Sequence, residues 1–109
     1  MLEILFGSEN GAKALLFLHA RNQGYAREIA GFFNTAHRPI QKQLAKFEAA
    51  GILCSRMDGR TRTYTFNPRC PLSDEIRALL EKALSMYPEK EREALMMNRR
   101  RPRRPDKPL

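Results

Sequence analysis

The tightest constraint on this chain lies at Asp58-Gly59, a dipeptide suited to a hairpin turn because Gly reaches positive φ at no steric cost. Two short segments flank it, residues 52–57 and 62–67. In the second, Tyr64 and Phe66 alternate with Thr63 and Thr65, the pattern of a strand with one buried face, and Asn67-Pro68 ends it. The loop is expected to run on through Arg60 and Thr61. One hairpin is not stable in water by itself. It must lie against something, and everything around it reads as helix. The chain is therefore expected to be mainly α with a single β-hairpin, an α+β fold.

Three helical patterns precede the hairpin. The first starts at Ser8, a good N-cap, with Glu9 near its positive end. Ala12, Leu15, Leu16 and Leu18 fall on one broad face, and Asn22-Gln23-Gly24 ends it, with Gly24 suited to a left-handed exit. The second covers about 26–33, where Ile29, Ala30 and Phe33 form one stripe, and Asn34-Thr35-Ala36 makes a turn. The third runs from about 37 to 50, with Pro39 in the first turn, where a missing N–H costs nothing, and Gly51 as its stop. After the hairpin a fourth helix spans about 72–87. Ser73 is its expected N-cap, and Leu72, Ile76, Leu79, Leu80, Ala83 and Tyr87 form a broad apolar stripe. Pro88 breaks it, and 89–98 suits a further short helix. From Arg99 on the chain is Arg- and Pro-rich with almost no apolar content, and is expected to be disordered alone. At 109 residues there is room for one core, which assigns 1–88 to a folded domain and 89–109 to a short helix and basic tail.

Helix, short helix, turn, helix, hairpin, helix is the order of a winged helix-turn-helix, with a three-helix core, a wing and a C-terminal helix. Three stretches carry a closer likeness: Gly24-Tyr25-Ala26-Arg27-Glu28-Ile29-Ala30, then Pro39-Ile40-Gln41-Lys42-Gln43-Leu44-Ala45-Lys46-Phe47-Glu48-Ala49-Ala50-Gly51-Ile52-Leu53, then Asp58-Gly59-Arg60-Thr61-Arg62-Thr63-Tyr64. With the ending Phe66-Asn67-Pro68 they resemble the ArsR-like winged-helix regulators of bacteria and archaea, over roughly residues 5–87. The resemblance implies a DNA-binding transcriptional regulator. It also implies a homodimer in which the C-terminal helix pairs with the first helix about a two-fold axis.

The residues support the same reading independently. The net charge is +8, unevenly spread: residues 27–69 hold eight basic groups against three acidic ones, and residues 99–109 hold six against one. Such clustering suits a polyanion. On the third helix, at about 100° per residue, Gln43, Leu44 and Phe47 lie on the side of Ile40. Arg38, Gln41, Lys42, Ala45 and Ala49 lie opposite. Donors for guanine and phosphate, an amide for adenine and small residues between them are what a helix entering the major groove needs. Arg56, Arg60 and Arg62 surround the hairpin tip, where guanidinium suits the phosphate backbone or minor groove. Arg27 and Lys46 complete the expected contacts to double-stranded DNA.

No apolar run is long enough to span a bilayer, the N-terminal residues lack the features of a signal peptide, and two cysteines are too few for a disulfide framework. A cytoplasmic protein is expected. His19, His37, Cys54 and Cys70 form no short-spaced ligand pair, and there is no phosphate-binding glycine loop or nucleophile elbow. Neither a metal, nor a cofactor, nor enzymatic activity is expected. The alternative is a winged helix that serves protein–protein contact, partnering an enzyme such as a nucleotidyltransferase-like protein.

Overall fold

The chain opens on a single helical turn, α1 (Leu2–Leu5), too short to show a periodicity in sequence. The computed structural model describes the backbone of residues 1–100 and the side chains through Met96. The second helix, α2 (Glu9–Arg21), begins as expected: Ser8 has extended backbone and its Oγ accepts the Gly11 N–H at 2.9 Å. It ends differently. Asn22 takes the left-handed conformation, at φ 74°, and its N–H closes onto the Leu18 carbonyl. Asn tolerates that region because its side chain is short and polar. Gly24 serves another purpose. Its N–H and C=O pair with the backbone of Tyr64 at 3.1 and 2.8 Å, and a Cβ there would stand 2.8 Å from Cε1 of Phe17.

α2 is the centre of the molecule. Ala14, Leu15, Leu16, Phe17, Leu18 and Ala20 are all buried, so the helix is covered all round rather than on the one face expected. α3 (Ala26–Phe33) and α4 (His37–Ala49) pack on it, joined by a turn in which Asn34 is left-handed at φ 54°. Pro39 lies in the first turn of α4, and Gly51 leaves the helix at φ 85°. Ile40, Leu44 and Phe47 point inward. Burying each is worth about 1.5–3 kcal/mol, which fixes the rotation of α4 and therefore which of its residues face outward.

The hairpin follows, β1 (Leu53–Asp58) and β2 (Thr61–Phe66). Thr61 pairs with Asp58, so the turn is only Gly59-Arg60, shorter than the loop expected through Thr61. Gly59, at φ 65°, carries the turn. Such two-residue turns match the strand twist. Leu53, Ser55 and Met57 share one face with Phe66, Tyr64 and Arg62; Cys54, Arg56 and Asp58 share the other with Thr65, Thr63 and Thr61.

α5 (Ser73–Ser85) begins at Ser73 itself, with Leu72 as N-cap and no side-chain cap; Asp74 and Glu75 serve its positive end by charge. It docks on α2 through buried Leu80 and Leu84 and through Arg77. The Arg77 guanidinium donates to Nδ1 of His19 at 3.1 Å, to the His19 carbonyl at 3.2 Å and to Oδ1 of Asn22 at 3.0 Å. The His19 ring bonds Glu81 through Nε2 at 2.7 Å. After Pro88, α6 (Glu89–Arg100) runs two residues past its expected end. It is held on α2 by buried Leu95 and by Arg21, which donates to the carbonyls of Leu95 and Ala94 at 2.7 and 3.1 Å while stacking on Phe17 and Phe32. Burial pulls the Arg21 guanidinium below its usual pKa. The expected disorder of the tail falls, from residue 101 on, outside the described residues. Among those described, no helix is long and apolar enough to cross a membrane. The whole is a winged helix-turn-helix, mixed α+β, with α2, α3 and α4 as its core and the hairpin as its wing.

Candidate nucleic-acid interface

Because Ile40, Leu44 and Phe47 face the core, the outer side of α4 presents Arg38, Gln41, Lys42, Ala45, Lys46 and Ala49, all exposed. The single carboxylate of this helix, Glu48, is half-buried and accepts a hydrogen bond from Ser55 Oγ at 2.7 Å. The Ser55 hydroxyl in turn accepts one from Arg62 Nη1 at 3.0 Å. Glu48 is thus occupied at the hairpin base, and Arg62 is braced against the strand. The N-cap of α4 is Ala36, which offers no side-chain acceptor, and its first turn holds no acid. Its positive end is therefore left open beside Arg38.

A cleft of about 450 Å³ lies between α4, the start of α3 and the hairpin. Arg27, His37, Gln41, Ala45, Met57, Arg60 and Arg62 are among its lining, and no carboxylate is. Four of the eight expected contacts, Arg27, Gln41, Arg60 and Arg62, therefore meet in one place. Arg38 and Lys42 lie next to them along the exposed face of α4. Lys46 stands at the far edge of that face, with its Nζ close to Gly7, where an added Cβ would be 3.4 Å away. Arg56 goes elsewhere. Strand alternation puts it on the opposite face of the hairpin, where it donates to Gln23 Oε1 at 3.0 Å and to Asp58 at 3.3 Å.

Tyr25, Met57 and His37 also line the cleft, outside the expected contacts. Tyr25 is the N-cap of α3, and Met57 is the cross-strand partner of Arg62. His37 opens α4, one helical turn before Gln41, but on the helical wheel it falls beside Leu44 at the edge of the core-facing side, so the wheel that singles out Gln41 gives no signal for it. Tyr64, at the cleft floor, is buried, and burial pushes its hydroxyl above the ordinary tyrosine pKa. Among the described residues no three His, Cys, Asp or Glu side chains come together as metal ligands.

No protein-family model matches this chain, and no curated protein does. A solved structure does match in fold. It is a double mutant of ZitR from Lactococcus lactis in its apo form, with a TM-score of 0.54 over 89% of this chain and 82% of that one, at 18% sequence identity. At that identity the likeness is one of fold. It bears out the winged helix-turn-helix and leaves the narrower ArsR-like resemblance without further support.

Proposed function

We propose that this protein is a sequence-specific regulator that binds double-stranded DNA, with α4 in the major groove and the wing on the backbone or minor groove. The observation that carries the reading is one continuous, exposed surface free of unengaged carboxylates. It runs from Lys46 through Lys42, Arg38 and Gln41 to the cleft with Arg27, Arg60 and Arg62. Gln41 and Arg38 are suited to read base edges, Lys42, Lys46 and Arg27 to fix phosphates, and Arg60 and Arg62 to follow the adjoining strand. Arg56, which donates to Gln23 on the opposite face of the hairpin, lies outside this surface. Two copies, joined through α5, would present two such surfaces to one palindromic site.

Selection of bound duplexes from a random DNA pool tests this reading. A recovered consensus with two half-sites about 34 Å apart is the expected result. Recovery of no enriched sequence, with weak salt-dependent binding to all duplexes, would refute sequence-specific regulation.

A further inference from the structure

We infer that His37 is a proton-linked phosphate contact, so that the affinity of the protein for DNA rises as pH falls through the imidazole range. The inference rests on the DNA-binding reading above and assigns it a residue and a regulatory property.

His37 is half-exposed in the wall of the cleft. The charged groups that face this cleft from each neighbouring element are all cationic: Arg27 from α3, and Arg60 and Arg62 from the hairpin. Arg38 follows it on α4. The ionisable tyrosines of the lining are Tyr25 and Tyr64. No ion pair among the described residues involves His37. The other histidine contrasts with it. His19 is committed on both ring nitrogens, to Glu81 and to Arg77, in the joint between α2 and α5. His37 therefore has an open ring in a cationic cleft, and the group that would complete it is an anion from outside.

A phosphate oxygen seated in this cleft accepts a hydrogen bond from the ring and favours the imidazolium over the neutral form. Imidazole is the side chain whose ordinary titration falls between about pH 5 and 8. If the complex holds the proton more tightly than the free protein does, binding takes up a proton. Affinity is then gained as pH falls and lost as it rises. The other ionisable side chains lining the cleft are guanidinium and phenol groups, chemical types whose ordinary range lies far above that window.

The test uses the full chain and a duplex of random sequence, titrated at fixed ionic strength from pH 8 to pH 5.5, with circular dichroism at each pH to follow folding. The wild type should bind roughly three- to tenfold more tightly at the acidic end; a tenfold gain requires DNA to raise the imidazole pKa by about one. His37→Gln should flatten the dependence at the weak level. His37→Arg, which keeps the charge at every pH, should flatten it at the tight level. A His37→Gln protein that keeps the wild-type slope overturns the assignment. Duplex binding by the wild type that does not vary with pH overturns it while leaving the DNA-binding reading intact. Absence of duplex binding at every pH overturns both.

Discussion

Gln41 and Arg56 enter as equal candidates in sequence and part company in space. Gln41 lies in the cleft beside Arg27 and Arg60, whereas Arg56 is turned to the other face of the hairpin and held by Gln23. Gln41→Ala should therefore relax sequence preference at one base pair by about 1–3 kcal/mol. Arg56→Ala should weaken all sequences alike and by less than Arg60→Ala does. Competition binding against single-base variants of the selected site separates the two. The sequence could not divide the wing arginines, because their faces depend on the hairpin register. Arg62 pairs with Met57 and Arg56 with Thr63, on opposite faces, because the register is centred on Gly59-Arg60. Gly24 teaches the same lesson. A glycine after a helix reads as an exit residue, yet Asn22 makes the exit and Gly24 is required by the Phe17 ring packed against it. Close approach between side chains of different elements leaves no local mark. Gly24→Ala should cost about 1–3 kcal/mol by overpacking. Gly31→Ala, in α3, where an added Cβ meets nothing within 4 Å, should gain about 0.4–1 kcal/mol. Thermal unfolding of the two variants is the measurement, and a stability loss in Gly31→Ala equal to that in Gly24→Ala would contradict the packing argument.

Elements were legible where a period, a cap and a stop agreed. α4 has Ile40, Leu44 and Phe47 at helical spacing, Pro39 in the first turn and Gly51 at φ 85°. The hairpin was legible from Asp58-Gly59 and the Tyr64–Phe66 alternation. α1 has four residues and no period to read. α5 shows that a Ser at a helix start need not cap it, since the helix is already formed at Ser73 and Leu72 precedes it. α6 is mostly charged, and its position rests on two features that no pattern reveals: Leu95 is buried in the core, and Arg21 reaches from α2 to the carbonyls of Leu95 and Ala94. Both lie before Asn98, so removing residues 99–109 should leave α6 docked. That truncation takes away six basic groups and one acid. It should lower duplex affinity about equally for all sequences and reduce the salt dependence, by roughly 0.9 in the slope of log K against log salt for each phosphate the tail had neutralised. Affinity measured across a salt series checks this, and reduced specificity with an unchanged slope would mean that the tail reads bases.

At the scale of the whole molecule, the question left by sequence is which side of α5 faces outward. The broad stripe over 72–87 contains more apolar residues than one core contact uses, and its two edges look alike in sequence. The structure separates them. Leu80 and Leu84 are buried against α2, whereas Leu72, Leu79 and Met86 are 61%, 40% and 68% exposed. With half-buried Ile76 and Ala83 they recur at alternating steps of four and three residues, the spacing that lets one helix seam pack on another. A small domain cannot cover this second strip by itself, and an exposed apolar strip of this kind marks an interaction surface. Under the proposed function the occupant is a second copy, because pairing α5 with α5 would place two α4 surfaces on one duplex. Leu79→Glu should therefore give a folded monomer that binds a full two-half-site operator far more weakly than the wild type, while its affinity for a single half-site changes little. Leu80→Glu, one residue away but fully buried, should fail to fold, since it places a carboxylate in the core without a partner. Sedimentation of the wild type and of Leu79→Glu, with circular dichroism to establish that the variant is folded, decides between pairing and its absence. A wild type that remains monomeric well above the concentration at which it occupies its operator would rule out pairing through α5, because the exposed seam would then have no second copy to cover it when DNA is bound.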